Sequence, residues 1–479
     1  MQEASILGQF QVAEAILKNK LTNKNSNIGN CLHGDGTQKY HKHYQNFQIT
    51  TTSGKTLSFG LSEVVGKDAA TVLQNFTNIV DDIFDVVSNS ATEKEINFAK
   101  LITSIKSTMS DLSSVNPLFN SQLKTLREQL LPIAIYNWHL LSSDVKDNMK
   151  DVSNFFCKFH LLTNFASETD KVFNSFEKIL LLNDFETVFA FSGKEYGTVK
   201  LVRTTCKAFH SRGSEEAGVA SWFNSFLSSR NDKSFFVSFI GNRFNILYYN
   251  AAALYYHKDA ITEFLNAWPN PNNLLKAIKE DITNFVFIAE ICALGIVDKL
   301  LTGPMWRTIK SLDSILFLNP YLLRLKIILL SLCMDASSLL FANGKIFEDT
   351  NLLHQDVVYT KLFECTQNNE FDSLTVQSLE IIFHAILVIS ERQCADQLPG
   401  GKYWNPSNSV SEAASNVPNV TNKASESDFA FLDLMVRTKP NANVQTIQAL
   451  TMWSQNQTLE GLMVKQMKKE NNYLNIQEL

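Results

Sequence analysis

The spacing of hydrophobic and polar residues changes several times along the chain. Residues 1–22 carry apolar side chains at helical spacing, and a polar stretch ends this leading helix. From residue 31 the period becomes two, which predicts strands at 31–35, 44–49 and 57–64. The Ser-Gly-Lys sequence at 53–55 is typical of a hairpin turn between the last two strands.

A helix and two further strands are predicted next. Helical spacing returns over residues 68–87, and a stretch with β-branched residues at 101–109 stops abruptly at Ser110 and Asp111. Residues 152–156 predict a short fifth strand. Three strands, a helix and a parallel fourth strand, in this order, open an RNase H-like core.

The rest of the chain is mostly helical, apart from one candidate strand at 235–240. Residues 399–427 are rich in Ser, Asn, Pro and Gly and low in charge, which predicts a flexible linker. The predicted fold class is α/β: an RNase H-like core with a large all-α insertion and a C-terminal helical tail. Its predicted segments are a leading helix (1–30), the first part of the core (31–175), an all-helical insertion (176–375), a helix returning to the core (376–398), the linker (399–427) and a C-terminal helical segment (428–479).

Composition narrows the functional classes. The chain has 479 residues, and 45% of them are hydrophobic, which suffices for a large core. The net charge of −5 gives no global basic field, so any contact with nucleic acid needs a local patch. The seven cysteines show no disulfide framework, which favours an intracellular protein. We expect no membrane span, because no run of about 18 apolar residues occurs.

Asp35 is the first candidate for chemistry, since it ends the first predicted strand between Gly34 and Gly36. Glycine has no Cβ and lets a metal or a backbone approach closely. A carboxylate supplies the oxygen ligands that Mg²⁺ prefers. Asp-Gly is also a strong hairpin signal, and from this motif alone an ordinary turn is the favoured interpretation.

Asp111 directly follows the fourth predicted strand. One interpretation is an N-cap for the helix that comes next. In an RNase H topology, however, the first and fourth strands are neighbours, so Asp35 and Asp111 end side by side. Two carboxylates in that position can hold two Mg²⁺ ions about 4 Å apart, which activate the attacking water or 3′-hydroxyl.

Two later motifs are less specific. Glu391, in a Ser-Glu-Arg sequence, is a candidate third carboxylate, although an exposed helical Glu–Arg pair is the simpler interpretation. Cys157 and His160 form a C-x-x-H pair. One such pair is too small for a structural zinc site, which takes four ligands, so a buried Cys and a core His are favoured.

Basic residues cluster in two places. Arg203, Lys207 and Arg212 lie within one short stretch that also contains Lys200, and Arg243 opens an aromatic amphipathic segment. Such residues can contact phosphates, and the aromatic rings can stack on bases. A solvated helix face and a helix start followed by core residues are the simpler interpretations.

The chain resembles the hAT-like transposase superfamily and its domesticated descendants in the order of five features: Asp35, Asp111, Cys157 with His160, Arg243-Phe244, and Ser390-Glu391-Arg392. It resembles transposon-derived proteins of aquatic animals more closely, through the sequences at 35–37, 203–210, 241–252, 293–307 and 398–402. The resemblance implies catalytic Asp35, Asp111 and Glu391, with Glu380 competing for the third place. It also implies Mg²⁺ as the cofactor of an active enzyme, DNA as a partner, and a nuclear location, with the cytoplasm as the alternative.

Three functions remain open on sequence alone. The first is a domesticated protein that binds nucleic acid or protein partners with little or no catalysis, which the acidic balance and the lack of a recognisable DNA-binding module favour. The second is an active Mg²⁺-dependent DNA strand-transferase or nuclease. The third is a helical protein-interaction scaffold unrelated to transposases.

Overall fold

The computed structural model describes residues 12, 29–39, 41–181, 197–210, 218–239, 245–341, 344–347, 353–364, 366–415 and 423–458. The chain divides into two compact units. The first comprises Met1–Cys157, Leu312–Phe317 and Asn405–Leu479, and the second comprises Lys158–Ser311 and Leu318–Trp404. The mixed α/β class is confirmed. The leading helix predicted at 1–30 lies almost wholly outside the described residues.

A five-stranded mixed sheet forms the centre of the first unit. Its strands are β1 (Asn30–Lys39), β2 (Lys42–Thr50), β3 (Thr56–Val64), β4 (Ile105–Ser110) and β5 (Ser153–Phe156). Their order across the sheet is β3-β2-β1-β4-β5. The first three strands pair antiparallel as a meander, whereas β4 is parallel to both β1 and β5. The five strands predicted for the core are therefore present, the fourth of them with different bounds.

Three helices cover one face of this sheet: α1 (Ala69–Val87), α2 (Ala91–Ser104) and α3 (Val115–Ala134). Their apolar residues, among them Phe76 and Phe119, pack with Phe47 of β2 in one buried cluster. The ring centroids of Phe47 and Phe76 are 4.9 Å apart. Each fully buried side chain of this size contributes about 1.5–3 kcal/mol of hydrophobic stabilisation, so this face forms the main core of the unit.

The strand predicted at 101–109 needs a correction, because residues 101–104 form the last turn of α2. A reciprocal cap fixes the start of this helix. Ser90 Oγ accepts a hydrogen bond from the Glu93 backbone N–H at 3.1 Å, while Glu93 Oε2 accepts one from the Asn89 N–H at 2.8 Å. The helix that begins here continues through the β-branched residues to Ser104, and β4 begins only at Ile105.

The helix containing Pro132 continues to Ala134, two residues beyond the proline. A 3₁₀ turn (Trp138–Leu140) and α4 (Ser143–Lys150) then lead to β5. The fully buried Arg127 holds this connection, because its guanidinium donates to the Thr103, Met149 and Lys150 carbonyls at 3.0–3.2 Å.

The opposite face of the sheet is covered from the C-terminal part of the chain. After the first unit resumes at Asn405, three helices follow: α15 (Asn408–Ser415), α16 (Lys423–Thr438) and α17 (Val444–Gln455). α15 contacts β4 and β5, α16 contacts β1, β2 and β3, and α17 contacts β3. Part of the range predicted as a flexible linker, 399–427, is thus helical. The C-terminal segment is part of the sheet unit rather than a separate tail.

The second unit is all-helical where it is described. Its helices are α5 (Lys158–Leu180), α6 (Thr198–Phe209), α7 (Ala220–Ser228), α8 (Ile246–Ala267), α9 (Asn273–Asp281), α10 (Phe285–Val297), α11 (Gly303–Ser311), α12 (Asn319–Leu332), α13 (Val357–Leu362) and α14 (Asn369–Gln393). A π-helical turn (Asp298–Thr302) joins α10 to α11. α10 is the central helix, since all but three of its residues are buried.

The candidate strand at 235–240 is wrong for its described residues, 235–239, which form no strand. Side chains of α8 replace a strand partner. The Phe235 N–H donates to His257 Nε2 at 3.3 Å, and the Val237 N–H donates to Asn250 Oδ1 at 2.9 Å. This apolar stretch is therefore a segment that lies on a helix rather than in a sheet.

Candidate metal centre

Asp35 lies within β1 and pairs directly with Asn46 of β2. It does not form the hairpin turn that its Asp-Gly sequence suggested, because the ladder continues to the pair Lys39–Lys42. The actual hairpin includes His41, whose φ of 64° lies in the left-handed region. Asp35 is only 6% exposed, and its Oδ1 accepts a hydrogen bond from the Gly36 N–H at 2.8 Å.

Asp111 is the first residue after β4 and is partly buried. Its Oδ1 accepts a hydrogen bond from the Ser113 N–H at 3.1 Å and another from Asn116 Nδ2. The residue that precedes α3 is Ser114, which makes no side-chain cap. Asp111 therefore stabilises the turn into α3 without being its N-cap, and its carboxylate remains at the end of the strand.

The register of the two central strands brings these aspartates to equivalent positions. His33 of β1 is the direct partner of Met109 in the parallel strand β4. Asp35 and Asp111 each come two residues later, at the carboxyl-terminal side of this pair. Asp35 still belongs to β1, which continues to Lys39, whereas Asp111 directly follows the end of β4. Two carboxylates on neighbouring chain segments are the kind of group that can share divalent ions. Oxygen atoms are their only ligand atoms, which fits Mg²⁺ better than zinc.

The side chains beside Asp35 on its own face of the sheet, His33 and Cys31, are buried. Burial lowers the pKa of His33 to about 4, so this imidazole is neutral near pH 7. His33 Nε2 shares a hydrogen bond with Thr50 Oγ1 at 2.9 Å. Burial likewise raises the pKa of Cys31 to about 12, which keeps this thiol protonated. Electrostatic interactions are strengthened in such a medium.

The third acid predicted by the sequence motif lies in the second unit. Glu391 is on α14, is 45% exposed, and forms an ion pair with Lys326 at 2.8 Å. In the first unit, α15 contacts β4 and β5, and its sequence includes one acid, Glu412. Among the described residues, no group of three or more His, Cys, Asp or Glu side chains is arranged to hold a metal ion.

The C-x-x-H pair is divided by the start of α5, since Cys157 lies between β5 and this helix. Cys157 is buried, and its backbone N–H donates to the Ser110 carbonyl at 2.8 Å, which extends the β4–β5 pairing by one bond. His160 lies in the first turn of α5 and is partly buried. The position of Cys157 is consistent with a structural residue.

The predicted basic cluster contains residues of different kinds. Lys207 is exposed on α6, whereas Arg203 is partly buried, with its guanidinium 5.7 Å from the Phe239 ring centroid. Lys200 is buried in an ion pair with Asp281, so it belongs to the core. Arg212 and Arg243 lie outside the described residues. Of the described basic residues in this cluster, Lys207 alone is exposed on the surface.

Two stretches singled out in the sequence, 241–252 and 293–307, contact each other in the second unit through Asn245 and Asp298. Asn245 Nδ2 donates to Asp298 Oδ1 at the π-helical turn, and Lys299 Nζ binds both carboxylate oxygens of Asp356 at 3.0 and 2.9 Å. Burial raises the pKa of Asp298 to about 6. π-turns often mark functional positions. Here the charges are paired, which indicates a network that fixes the α10–α11 junction.

No protein-family model matches this chain, and no curated protein matches it either. By length and composition alone, two of the described helical segments, Ile315–Leu332 and Asn369–Gln393, are apolar enough to cross a membrane. The buried share of the apolar stretch is 39% in the first segment and 50% in the second. Core helices of soluble proteins meet the same criterion, so the two segments are weak evidence for a membrane span.

Proposed function

We propose that this chain is a transposase-derived protein with an RNase H-like scaffold, in which Asp35 and Asp111 bind Mg²⁺. The main support is the pairing of β1 with β4, because Asp35 and Asp111 each come two residues after the last pair of this ladder, His33–Met109. The meander β1–β3 followed by the parallel strands β4 and β5 is also the order that such a scaffold requires. The large helical unit between β5 and α15 takes the place of the insertion.

The proposed role is binding of nucleic acid or protein partners, with little or no strand cleavage. Both carboxylates already accept hydrogen bonds from their own segments, Asp35 from Gly36 and Asp111 from Ser113 and Asn116. The net charge of −5 provides no general attraction for a substrate polyanion. A metal bound here would then organise the strand ends and would not drive turnover.

Active strand transfer is the second candidate, and α15 is the observation that favours it. This helix contacts β4 and β5 in the unit that holds Asp35 and Asp111, and its sequence includes one acid, Glu412. If a third acid completes the site, two metal ions would generate the nucleophile and stabilise the leaving oxygen.

A paired binding and cleavage assay tests these proposals. Labelled duplex and single-stranded DNA would be incubated with the full chain and Mg²⁺ or Mn²⁺, and compared with the Asp35→Asn/Asp111→Asn double variant. The proposal predicts salt-dependent DNA binding by both proteins and no cleavage above the level of the double variant. Cleavage by wild type alone would establish the second candidate. A lack of both DNA binding and metal binding would refute the transposase-derived reading.

A further inference from the structure

The sheet face that carries Asp35 has a polar interface with the C-terminal helices. Alternation along β1 and β2 places His33, Asp35 and Lys39 on this face, together with Asn46 and Gln48. Part of the interface is apolar, because Tyr44 and Leu61 pack against residues of α16 and α17. The remainder is polar, with buried amides and hydroxyls around the carboxyl group of Asp428.

Asp428 of α16 is the centre of the polar part and is fully buried. Its Oδ2 accepts hydrogen bonds from Asn46 Nδ2 at 3.2 Å and from Ser58 Oγ at 2.8 Å. Asn46 is the direct strand partner of Asp35. Further along α16, Asp433 binds Lys39 Nζ at 2.9 Å. α16 therefore runs along β1, from the level of Asp35 to the end of the strand.

α17 closes the same face at the sheet edge. Asn456, at its C-terminus, binds the outer backbone edge of β3: its Oδ1 accepts from the Ser58 N–H at 2.7 Å, and its Nδ2 donates to the Ser58 carbonyl at 3.0 Å. Gly60 has a φ of 96°, and a Cβ there would lie 2.6 Å from Gln448 Cγ. Close approach of α17 therefore depends on this glycine, and the edge is covered rather than open.

The polar interface has one imbalance. Asp428 Oδ1 and Asn46 Oδ1 are both buried, and neither accepts a hydrogen bond from any residue in the described ranges. Two acceptors without a donor are costly in a buried interface. A proton on Asp428 removes the charge and supplies the missing donor. Burial raises the pKa of Asp428 to about 6, although hydrogen bonds from Gln48, Ser58 and Asn46 oppose this shift.

We propose that α16 and α17 form a reversible cover over the face that carries Asp35, held closed by the neutral form of the Asp428 carboxyl group. At a pH above the titration range of Asp428, its carboxylate is charged. Burying this charge is unfavourable, so the cover opens more often. The effect of opening on metal access to Asp35 rests on the proposed function, but the docking itself does not. The described titratable and charged groups on the surrounding elements include Cys31, His33, Asp35 and Lys39 on β1, Lys42 and Tyr44 on β2, Glu63 on β3, and Asp433 and Arg437 on α16. The described part of α17 has none.

The direction of the pH dependence follows from linkage. When the cover is open, Asp428 titrates near its ordinary pKa of 3.8, and when the cover is closed it titrates at about 6. The closed state therefore binds more protons between these values, and closure weakens as the pH rises through this window. The closing equilibrium should fall by roughly 100-fold across it.

Hydrogen exchange of the full chain tests the cover directly. After correction for intrinsic rates, peptides from α16 and α17 should exchange roughly 100-fold faster at pH 7 than at pH 4, while α1 on the other face should not change in this way. Asp428→Asn replaces the proton with a permanent amide donor and should flatten the dependence. Asp433→Asn is the matched control on the same helix, since Asp433 is partly exposed, and should keep it.

Two outcomes overturn the proposal: the same pH dependence in wild type and Asp428→Asn, or its loss in Asp433→Asn as well. A second measurement separates the cover from the metal site. At pH 7.5, Mn²⁺ binding should be weaker in Asp428→Asn than in wild type, because the variant keeps the cover closed. If the exchange result holds and neither protein binds Mn²⁺, the cover stands and the proposed metal function fails.

Discussion

Lys200 and Asp281 form an ion pair inside the helical unit, with Lys200 Nζ 2.8 Å from Asp281 Oδ2. Their side chains are only 8% and 3% exposed. Burial raises the pKa of Asp281, although Lys200 acts in the opposite direction. The attraction within the pair therefore offsets only part of the free-energy cost of removing two charges from water. Removing either partner leaves the other charge buried and unpaired.

Lys200→Met should consequently destabilise the protein by about 3–5 kcal/mol, because it leaves the Asp281 carboxylate buried without its cation. Chemical denaturation followed by circular dichroism measures this change. The double variant Lys200→Met/Asp281→Leu should regain most of the loss. A single variant as stable as wild type would show that the pair is not formed in solution.

Lys207→Ala should behave differently, since Lys207 is exposed on the same helix. We expect no loss of stability, a uniform weakening of DNA binding, and a reduction of about 1 in the slope of log K against log salt. Fluorescence anisotropy at several salt concentrations measures both quantities. Lys276→Ala, at an exposed position on α9, is the control. Equal affinities and slopes for all three proteins would remove Lys207 from the nucleic-acid surface.

The contrast between Lys200 and Lys207 illustrates the limits of sequence reasoning. Both lie in one basic stretch, but the partner of Lys200 lies 81 residues away, and no local pattern indicates it. The contact between Asp428 and Asn46 spans 382 residues. By contrast, period-two alternation is a local signal, and it located the strands of the meander and β5.

Asp35 and Asp111 show the same difference between features that a local pattern predicts and features that depend on long-range pairing. The place of Asp111 directly after β4 followed from the local pattern, and β1 and β4 pair as the predicted topology required. The continuation of β1 beyond Asp35 did not follow, because Asp-Gly is a turn signal that the ladder with β2 overrides. The helical start of the fourth segment was missed because the cap at Ser90 determines it, not the β-branched residues.

A buried pair of acids provides a pH prediction. Glu177 and Glu290 are 1% and 0% exposed, and Thr198 donates to both carboxyl groups. Burial, with the neighbouring Glu177 second, raises the pKa of Glu290 well above its ordinary value of 4.5. The folded state therefore keeps a proton that the unfolded chain releases, and stability falls as the pH rises above 4.5 towards the folded-state pKa.

Glu290→Gln should remove this contribution, which is at most about 1.4 kcal/mol per pH unit. The amide can donate to Glu177 Oε2, which has no donor among the described residues. We expect the variant to unfold at higher denaturant concentration than wild type at pH 8, and the difference to shrink towards pH 5. Glu95→Gln, at an exposed position, should leave the profile unchanged. A variant less stable than wild type at pH 8 contradicts the shared proton.

The third acid can be identified through metal affinity. If Glu412 completes the site, Glu412→Gln should weaken Mn²⁺ binding by roughly 10-fold or more, since even residues behind a ligand contribute that much. Glu391→Gln should leave the affinity unchanged and instead free Lys326, its ion-pair partner. The opposite pattern would restore Glu391 as the third acid, and no effect from either would leave the aspartates as the whole site.

Titration of the full chain with Mn²⁺, followed by electron paramagnetic resonance of the free ion, tests the central claim most directly. Wild type should bind Mn²⁺ in competition with Mg²⁺. The Asp35→Asn and Asp111→Asn variants should each lose this binding while keeping the wild-type circular dichroism spectrum. Because each residue comes two positions after the last β1–β4 pair, we expect both to supply ligands, and neither should suffice alone. Unchanged Mn²⁺ binding in both folded variants would contradict the assignment of Asp35 and Asp111 as a metal centre.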